Sequence, residues 1–251
     1  MKFQIISSGS KGNSTIIVCN HTKIIIDVGI TYKLLKETIE NNNLSIDDFS
    51  SILITHSHND HIKGLSVLLK HTNIMVYIPK AMYEELKDIV PQERCVFIED
   101  NFNIDDVEIE LIHTSHDTKV SVGYIITYQN KSLVYITDTG YINRKYLAKI
   151  INKDCYVMES NHDEKMLMDG PYTRYLKERV ISDVGHLSNT TAAKYLAKVI
   201  GTKTKNIILA HISETNNTYD LALKTAKDII NNENINIMVA KQCIKTPVIE
   251  V

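Results

Sequence analysis

The chain has 251 residues, of which 43% are hydrophobic and 23% are charged, and its 28 basic and 30 acidic residues give a net charge of −2. This is ordinary globular usage, which excludes a collagen-like or disordered chain, and the near balance of charge excludes a polybasic protein. The four cysteines form no CxxC pair, which excludes a zinc ribbon or a thioredoxin-type motif. No apolar run reaches the roughly 18 residues of a membrane span, and the N-terminus lacks a signal-peptide core, so a cytoplasmic protein is expected.

Short β-rich runs alternate with helical patterns along the first half of the chain. The predicted strands are QIIS, TIIVC, KIIID, SILIT and MVYI. The predicted helices are KLLKETIE, IKGLSVLLK and PKAMYEELKDIV, the last opened by Pro79.

The second half repeats this organisation. Its predicted strands are VEIELI, GYIITY, SLVYIT, CYVME, NIILA and INIMVA, and its predicted helices are NRKYLAKII, PYTRYLKERV, SNTTAAKYLAKVI and TYDLALKTAKDII. Two strand-rich halves, about 1–118 and 119–251, predict one α/β domain over 1–251 with four layers in the order αββα. We expect the functional site at the carboxyl ends of the strands.

The segment THSHNDHIKG, residues 55–64, directly follows a predicted strand. It holds four possible metal ligands within six positions, namely His56, His58, Asp60 and His61. In an extended loop His56, His58 and Asp60 share one side, and a turn before His61 lets that imidazole face a second point. Imidazoles with a carboxylate suit Zn²⁺ or Mn²⁺, whereas Ca²⁺ and Mg²⁺ prefer oxygen ligands. The segment therefore predicts a metal site.

Three later residues at strand ends could complete a site for two ions: His116, Asp138 and His211. Two ions that share a carboxylate and a hydroxide occur in many phosphoesterases. Each residue has an alternative explanation. Asp138 could cap the helix that begins near Asn143, His211 could be a loop histidine, and nearby His113 could be the ligand in place of His116.

HSHNDH, with IIIDVG before it and single His, Asp and His positions after it, resembles the metallo-β-lactamase superfamily. Over nearly its whole length the chain also resembles the YycJ/WalJ-type nucleases of that superfamily, through SSGSKGNST, HDTKVSVGY, YITDTGY, ESNHD, GHLSN and AHISETNN. The resemblance implies a metallo-β-lactamase sandwich of two mixed β-sheets flanked by helices. It also implies a 5′→3′ exodeoxyribonuclease whose substrate is DNA with a 5′ end. The chain departs from the family pattern at Ser121, where the family usually has proline.

At matching positions, the resemblance implies two divalent metal ions, Zn²⁺ or Mn²⁺. The first would be held by His56, His58 and His116, the second by Asp60, His61 and His211, and Asp138 would bridge them. Asp27, at the end of IIIDVG, would orient the ligand loop through hydrogen bonds. The alternative for Asp27 is an ordinary turn before Gly29.

A hydroxide that bridges the metals is the expected nucleophile. By the same resemblance, Asp60 would accept the proton of the attacking water. His186 in VGHLSN is the candidate for stabilising or protonating the leaving alkoxide. Ser188 and Asn189 begin a predicted helix, whose N-terminus could bind a phosphate. The alternatives are a turn histidine and a plain N-cap.

Asn161 and His162 in ESNHD lie near the site according to the resemblance, whereas by themselves they would form a turn. Basic residues outnumber acidic ones over residues 141–205. This predicts a groove for a nucleic-acid backbone, with Tyr172 and Tyr175 available for base stacking. The alternative is a set of solvated helix faces.

Other functions fit the same metal motif. An RNA-processing or small cyclic phosphodiesterase keeps the catalyst and changes the substrate, and a thioester or lactam hydrolase has no need for the GHLSN helix start. A metal-binding module without catalysis is the last alternative. We expect a nucleic-acid substrate and no membrane partner, and the sequence carries no signal for an oligomeric state.

Overall fold

The computed structural model describes all residues, Met1–Val251, in fourteen strands and nine α-helices. The strands are β1 (Lys2–Ser7), β2 (Ser14–Cys19), β3 (Thr22–Ile26), β4 (Ser51–Leu53), β5 (Met75–Pro79), β6 (Cys95–Ile98), β7 (Asn101–Ile104), β8 (Val107–His113), β9 (Val122–Tyr128), β10 (Lys131–Ile136), β11 (Cys155–Glu159), β12 (Asn206–Ala210), β13 (Asn236–Val239) and β14 (Ile249–Glu250). The helices are α1 (Tyr32–Asn41), α2 (Asn59–Ile62), α3 (Leu65–His71), α4 (Tyr83–Leu86), α5 (Arg144–Lys149), α6 (Glu164–Asp169), α7 (Arg174–Ile181), α8 (Asn189–Val199) and α9 (Tyr219–Ile230). None of the helices is both long and apolar enough to span a membrane.

The strands form two sheets of seven strands each, in the orders β14-β1-β2-β3-β4-β5-β6 and β13-β12-β11-β10-β9-β8-β7. Each sheet has an antiparallel part, and each continues as four parallel strands, β3–β6 in the first and β10–β13 in the second. Helices flank both sheets. The predicted α/β sandwich of two mixed sheets flanked by helices is therefore confirmed.

Two apolar clusters hold these layers together. The larger contains 45 buried residues from both sheets and from α1, α3 and α4, so it joins the sheets to each other and to the first helix layer. The smaller contains 22 buried residues and packs α5, α8 and α9 against the second sheet. Each large apolar side chain in these clusters contributes about 1.5–3 kcal/mol when it leaves water.

The division between the sheets differs from the predicted boundary near residue 118. The chain enters the second sheet at Asn101, because β7 pairs antiparallel with β8 across a tight turn. At the other end of the chain, β14 returns to the first sheet and pairs with β1. The sequence analysis did not predict β6, β7 or β14, which are short strands near the sheet edges.

Two predicted helices are also interrupted. IKGLSVLLK begins with the last residue of α2 and includes all but the last residue of α3, and the helices are separated at Gly64, whose N–H donates to the Val28 carbonyl oxygen at 2.7 Å. Gly64 also lies close to another loop, where a Cβ would be 2.0 Å from the Ile30 carbonyl oxygen. In PKAMYEELKDIV, Pro79 ends β5 and a 3₁₀ turn, Lys80–Met82, precedes α4. Both interruptions depend on contacts with other elements, which helical periodicity does not encode.

The topology brings chemically useful residues to one edge of the sandwich. Neighbouring parallel strands end at the same edge of a sheet, so the residues that follow them lie together. Asp27 follows β3, the HxHxDH segment follows β4, Asp138 follows β10, Glu159 ends β11 and His211 follows β12. Both sheets therefore contribute to a single site.

Candidate metal centre

Three strand-end residues share an unusual backbone conformation. Asp27, Asp138 and His211 have φ angles of 57°, 55° and 55°. Left-handed backbone is uncommon outside glycine and is most accessible to Asn, Asp and His. At His211 the backbone N–H donates to Ser8 Oγ at 2.8 Å, which helps to hold this turn in place. The same local geometry thus turns the chain at the end of β3, β10 and β12.

The structure groups six predicted ligands in two sets of three. Within each set the possible ligand atoms lie within 4.8 Å of one another, and the sets are His56, His58, His116 and Asp60, His61, His211. These are the two sets that the family resemblance implied. His113, the alternative to His116, is partly exposed, and its Nε2 lies 3.0 Å from Asp100 Oδ1, outside both groups.

Asp138 lies between the two sets. It groups with His56 and His61 on one side and with His211 on the other. Its Oδ2 is 3.3 Å from His61 Nε2, and its Oδ1 is 3.2 Å from His211 Nδ1. The helix that Asp138 could have capped is α5, and its N-cap is Asn143, whose side chain accepts from the Lys145 N–H. Asp138 therefore does not cap α5, and its buried carboxylate lies among the candidate ligands instead.

The donor atoms fit divalent metal ions. His56 Nε2, Asp138 Oδ2 and His211 Nε2 are buried and have no hydrogen-bond partner. Buried polar atoms are otherwise almost always paired, so three orphans in one cluster require an explanation. Imidazole and carboxylate groups are ligands for Zn²⁺ and Mn²⁺, and metal ligation would satisfy all three atoms.

Asp27 fixes the orientation of His61 from behind. The fully buried carboxylate lies 2.7 Å from His61 Nδ1 and accepts hydrogen bonds from the Thr55 N–H and hydroxyl, each at 2.8 Å. This leaves His61 Nε2 to face the cluster, as is usual for imidazoles that bind metals. Although burial disfavours the charged imidazole, Asp27 and Asp138 raise the pKa of His61 to about 10.

The glycine-rich turn between β1 and β2 holds Asp60. The Asn13 N–H donates to the Asp60 carbonyl oxygen at 2.8 Å, and Asn13 Nδ2 lies 3.3 Å from Asp60 Oδ2. Gly29 makes this approach possible, because a Cβ at that position would lie 1.6 Å from the same carbonyl oxygen. A second loop therefore positions Asp60 in addition to the loop that carries it.

The sequence analysis missed Glu159. This fully buried carboxylate lies 2.7 Å from His186 Nδ1 and 3.1 Å from His211 Nδ1, and it accepts from the backbone N–H groups of Thr139 and Leu187. Burial opposes its ionisation, but His186 and His211 lower the pKa of Glu159 to about 2. A carboxylate at the end of the apolar strand CYVME was the available signal, because buried acids are rare unless they are paired.

His186 lies between the metal ligands and the solvent. Its ring centroid is 5.1 Å from that of His116 and 5.3 Å from that of His211. Burial favours the neutral imidazole, but the hydrogen-bonded Glu159 outweighs it and raises the pKa of His186. Because Glu159 occupies Nδ1, Nε2 is the nitrogen left for a substrate.

The side chains at the start of α8 form hydrogen bonds with other groups of the protein. Ser188 Oγ accepts from the Thr191 N–H at 3.1 Å and donates to Glu164 at 2.8 Å, as an ordinary N-cap. Asn189 is buried, and its side-chain amide bonds to Ser160 and Asn217. The side chains of both residues thus bond to other groups of the protein, and Ser188 forms the N-cap of α8.

Asn161 and His162 have different surroundings. Asn161 lines a cavity of about 240 Å³ next to the metal ligands, and its Nδ2 donates to the His211 carbonyl oxygen at 3.1 Å. His162 is buried, forms a β-bridge with Ser188 and is not part of the lining. Of the four predicted substrate-binding residues, only Asn161 lines this cavity.

Of the two tyrosines that the sequence analysis proposed for base stacking, only one lines the same cavity. Tyr172 lines it, whereas Tyr175 is 78% exposed and lies outside the lining. Arg179 also lines it and forms an ion pair with Asp117. Residues 141–205, where basic residues outnumber acidic ones, therefore contribute one aromatic ring and one cation near the candidate metal ligands.

Two mixed sheets with a His/Asp donor cluster at the carboxyl ends of their strands define a hydrolase of the metallo-β-lactamase fold. Residues 22–212 match the family model of the beta-lactamase superfamily domain, and the chain belongs to that superfamily. It is 35% identical over 242 residues to exodeoxyribonuclease YycJ of Bacillus anthracis, which covers 94% of this chain and 92% of the relative. It is 33% identical over 231 residues to exodeoxyribonuclease WalJ of Streptococcus pneumoniae D39, over 89% of this chain and 86% of the relative. The predicted resemblance is confirmed.

Solved structures share the fold at low sequence identity. The metallo-beta-lactamase fold protein YhfI of Bacillus subtilis superposes with a TM-score of 0.76 at 15% identity, over 98% of this chain and 99% of that one. Zn²⁺-bound PqqB of Methylobacterium extorquens gives a TM-score of 0.72 at 14% identity, over 98% and 100% of the two chains. These likenesses establish the architecture over nearly the whole chain.

Proposed function

We propose that the protein, as a single domain over residues 1–251, is a cytoplasmic exodeoxyribonuclease that uses two metal ions and degrades DNA in the 5′→3′ direction. The observation that carries the proposal is the pair of donor sets that meet at Asp138, whose buried Oδ2 has no hydrogen-bond partner. The relatives at 33% and 35% identity are named exodeoxyribonucleases, which supports DNA as the substrate.

In this proposal each donor set holds one divalent ion, Zn²⁺ or Mn²⁺. His56, His58 and His116 would hold the first, Asp60, His61 and His211 would hold the second, and Asp138 is placed to contribute to both. Such ions, when bound, would bring the pKa of a water near to neutrality and neutralise the charge that builds up on a phosphoryl group. No serine or cysteine nucleophile is then needed.

Asp60 is the proposed proton acceptor for the attacking water. Its carboxylate is partly exposed, and Oδ2 lies 3.7 Å from both His61 Nε2 and His211 Nε2. Asn13 holds the same residue from the glycine-rich turn. A carboxylate fixed at this point can take a proton without losing its place beside the two imidazoles.

His186 is the proposed proton donor to the leaving alkoxide. Glu159 holds its Nδ1 at 2.7 Å and, against the effect of burial, keeps the pKa of His186 above its ordinary value. A protonated imidazole at the mouth of the site can donate from Nε2 to the oxygen that departs. Asp27 holds the proposed ligand His61 in place, and the Thr55 hydroxyl lies within hydrogen-bond distance of both His61 Nδ1, at 3.1 Å, and His56 Nδ1, at 3.2 Å.

A degradation assay tests the proposal. After chelation, Zn²⁺ or Mn²⁺ is added back, and end-labelled single- and double-stranded DNA and RNA are incubated with the protein and with Asp138→Asn. We expect release of mononucleotides from the 5′ end of DNA by the metal-loaded wild type only. Cleavage of RNA with intact DNA would assign an RNA-processing enzyme. Intact polymers with hydrolysis of a simple phosphodiester would reduce the proposal to a small-molecule phosphodiesterase.

A further inference from the structure

A cavity of about 240 Å³ opens beside the metal centre, and His116, His186 and His211 form part of its wall. Pockets for drug-sized ligands measure roughly 300–1,000 Å³. The cavity therefore has room for one nucleoside and not for a length of strand. A space of this size next to the proposed proton donor matches the terminal nucleotide of a polymer.

One part of the lining is apolar and aromatic. Tyr172, which precedes α7, lines the cavity together with Leu176 and Val180 of that helix and Val184 beyond it. Tyr172 is only partly buried, so its ring remains available to a ligand. Aromatic rings bind nucleobases of any sequence by stacking, because every base presents a π-face.

Another part of the lining is polar. It comes from the loop after β12 and includes Ser213, Thr215 and Asn216. Ser213 and Thr215 remain partly or fully exposed, so their hydroxyl groups are available to a ligand, whereas Asn216 is buried and its Oδ1 faces Gly170. The lining thus combines a stacking surface with unused hydrogen-bonding capacity.

The charges of the lining suit an anionic ligand. Its two carboxylates each have a cation of their own, since Asp117 pairs with Arg179 and Glu214 pairs with Lys11 at 2.7 Å. Neither carboxylate therefore repels a phosphate with an uncompensated charge. Besides the histidines, Arg179 is the one cationic side chain in the lining, and its guanidinium has further N–H groups for a phosphate oxygen.

We infer that this cavity binds the terminal nucleotide of a DNA strand, and that Tyr172 stacks on its base and so selects strand ends that carry a nucleobase. The inference rests on the proposed nuclease function and adds a binding residue to it. Tyr175, three positions further along, is 78% exposed and outside the cavity, so it is a matched aromatic control.

The test compares Tyr172→Ala, Tyr172→Phe and Tyr175→Ala with the wild type on two DNA oligonucleotides. One has an ordinary terminal nucleotide at the 5′ end, and the other is abasic at that position only. For Tyr172→Ala we expect KM on the ordinary end to rise by about fivefold to 100-fold, the effect of losing one base–aromatic stack. KM on the abasic end should be the same for the variant and the wild type, and Tyr172→Phe and Tyr175→Ala should behave as the wild type.

Two results would overturn the inference alone. One is a wild type that degrades DNA with a KM that Tyr172→Ala does not change. The other is an equal effect of Tyr172→Ala on ordinary and abasic ends, which would make Tyr172 a structural residue. A wild type that degrades neither oligonucleotide would instead refute the proposed function, and the inference with it. Thermal melting of each variant establishes that it is folded.

Discussion

Asp27 is a fully buried carboxylate that lies 2.7 Å from the imidazole of His61. Its carboxylate bonds to His61 and to Thr55 and touches no solvent. Isolated buried carboxylates are costly, so this one is retained only because its partners compensate it. Groups that hold a metal-binding histidine in this way usually affect metal affinity strongly.

Asp27→Ala should therefore weaken metal binding. We expect a loss of about 10-fold to 100-fold in affinity, because His61 loses the partner that fixes its ring. Metal titration after chelation measures it. Asp100→Ala is the control, since Asp100 also pairs with a histidine, His113, but on the surface and away from the ligands. Unchanged affinity in Asp27→Ala would show that Thr55 alone orients the ring.

Glu159→Gln should separate proton transfer from metal binding. The amide keeps the shape of the side chain but loses the charge that keeps His186 protonated and oriented. We expect kcat to fall by about 10-fold to 100-fold, within the range for a general acid, with little change in KM. Glu159 also lies 3.1 Å from Nδ1 of the candidate ligand His211, so metal content is measured in the same samples and kcat is compared at equal metal loading. Glu164→Gln, which alters an acid bonded to Ser188, is the control. Wild-type kcat in Glu159→Gln would exclude His186 as the proton donor.

For single residues, the sequence predicts the candidate metal ligands better than the residues that hold those ligands in place. The HxHxDH spacing concentrates four candidate ligands where chance would not, so a cluster of donor atoms was predictable from it. Glu159 was not, because its role depends on His186 and His211, which are distant in sequence. For the same reason, only the structure separates Tyr172 from Tyr175.

Among the elements, β10 and β11 are joined at their starts by Asp154. This buried carboxylate accepts from the Ser132 N–H at 3.0 Å and its hydroxyl at 2.7 Å, and it lies 3.3 Å from Lys131 Nζ. Burial opposes its ionisation, but the bonds from Ser132 and Lys131 lower the pKa of Asp154. Asp154 thus links the first residues of the two parallel strands that lead to Asp138 and Glu159.

Asp154→Asn should lower the free energy of unfolding at pH 7 by about 1–2 kcal/mol, since it removes hydrogen bonds to a charged acceptor. The folded pKa lies below the unfolded value of about 3.9, so the stabilisation is present above that pH and is lost as the pH falls below it. Urea unfolding at pH 7 and near pH 3.5 should show the difference from wild type shrinking. Asp228→Asn, in an exposed helical ion pair with Lys224, is the control and should change stability by less than about 0.5 kcal/mol. A pH-independent difference would assign the effect to packing instead of charge.

The apolar β-branched runs and the helical periodicity predicted most elements, because these patterns follow from local burial. The interruptions of the helices and the edge strands were not predicted from the sequence, because contacts between elements determine them. Gly64 is the clearest instance, since the Ile30 carbonyl that it touches belongs to another loop. The position of the sheet boundary is a further instance, because short strands such as β7 form only beside a partner.

For the whole molecule, the metal centre is a joint between the two sheets. Four of the proposed ligands follow β4 of the first sheet, and the other three, His116, Asp138 and His211, belong to the second. Metal binding should therefore stabilise the arrangement of both sheets and not only one loop. A ligand at 100 times its Kd adds about 2.7 kcal/mol to the free energy of unfolding.

Chelation should lower Tm by roughly 5–10 °C for a chain of this size, and Zn²⁺ or Mn²⁺ should restore it. Differential scanning calorimetry of the chelated and reloaded protein measures the shift. His116→Ala should lose most of the metal-dependent increase, whereas His113→Ala should keep it, because only His116 lies among the ligands. An equal response from the two variants would exclude His116 as a ligand.

The spread of the ligands along the chain also has a consequence for biosynthesis. They begin at His56 and end at His211, and the ribosome releases the N-terminal part first. A nascent chain that lacks β12 can contain the whole HxHxDH segment and still miss a ligand of the second set. The proposed hydrolytic activity therefore requires that translation has passed residue 211 of the 251, and a product that ends before β12 lacks part of the donor cluster.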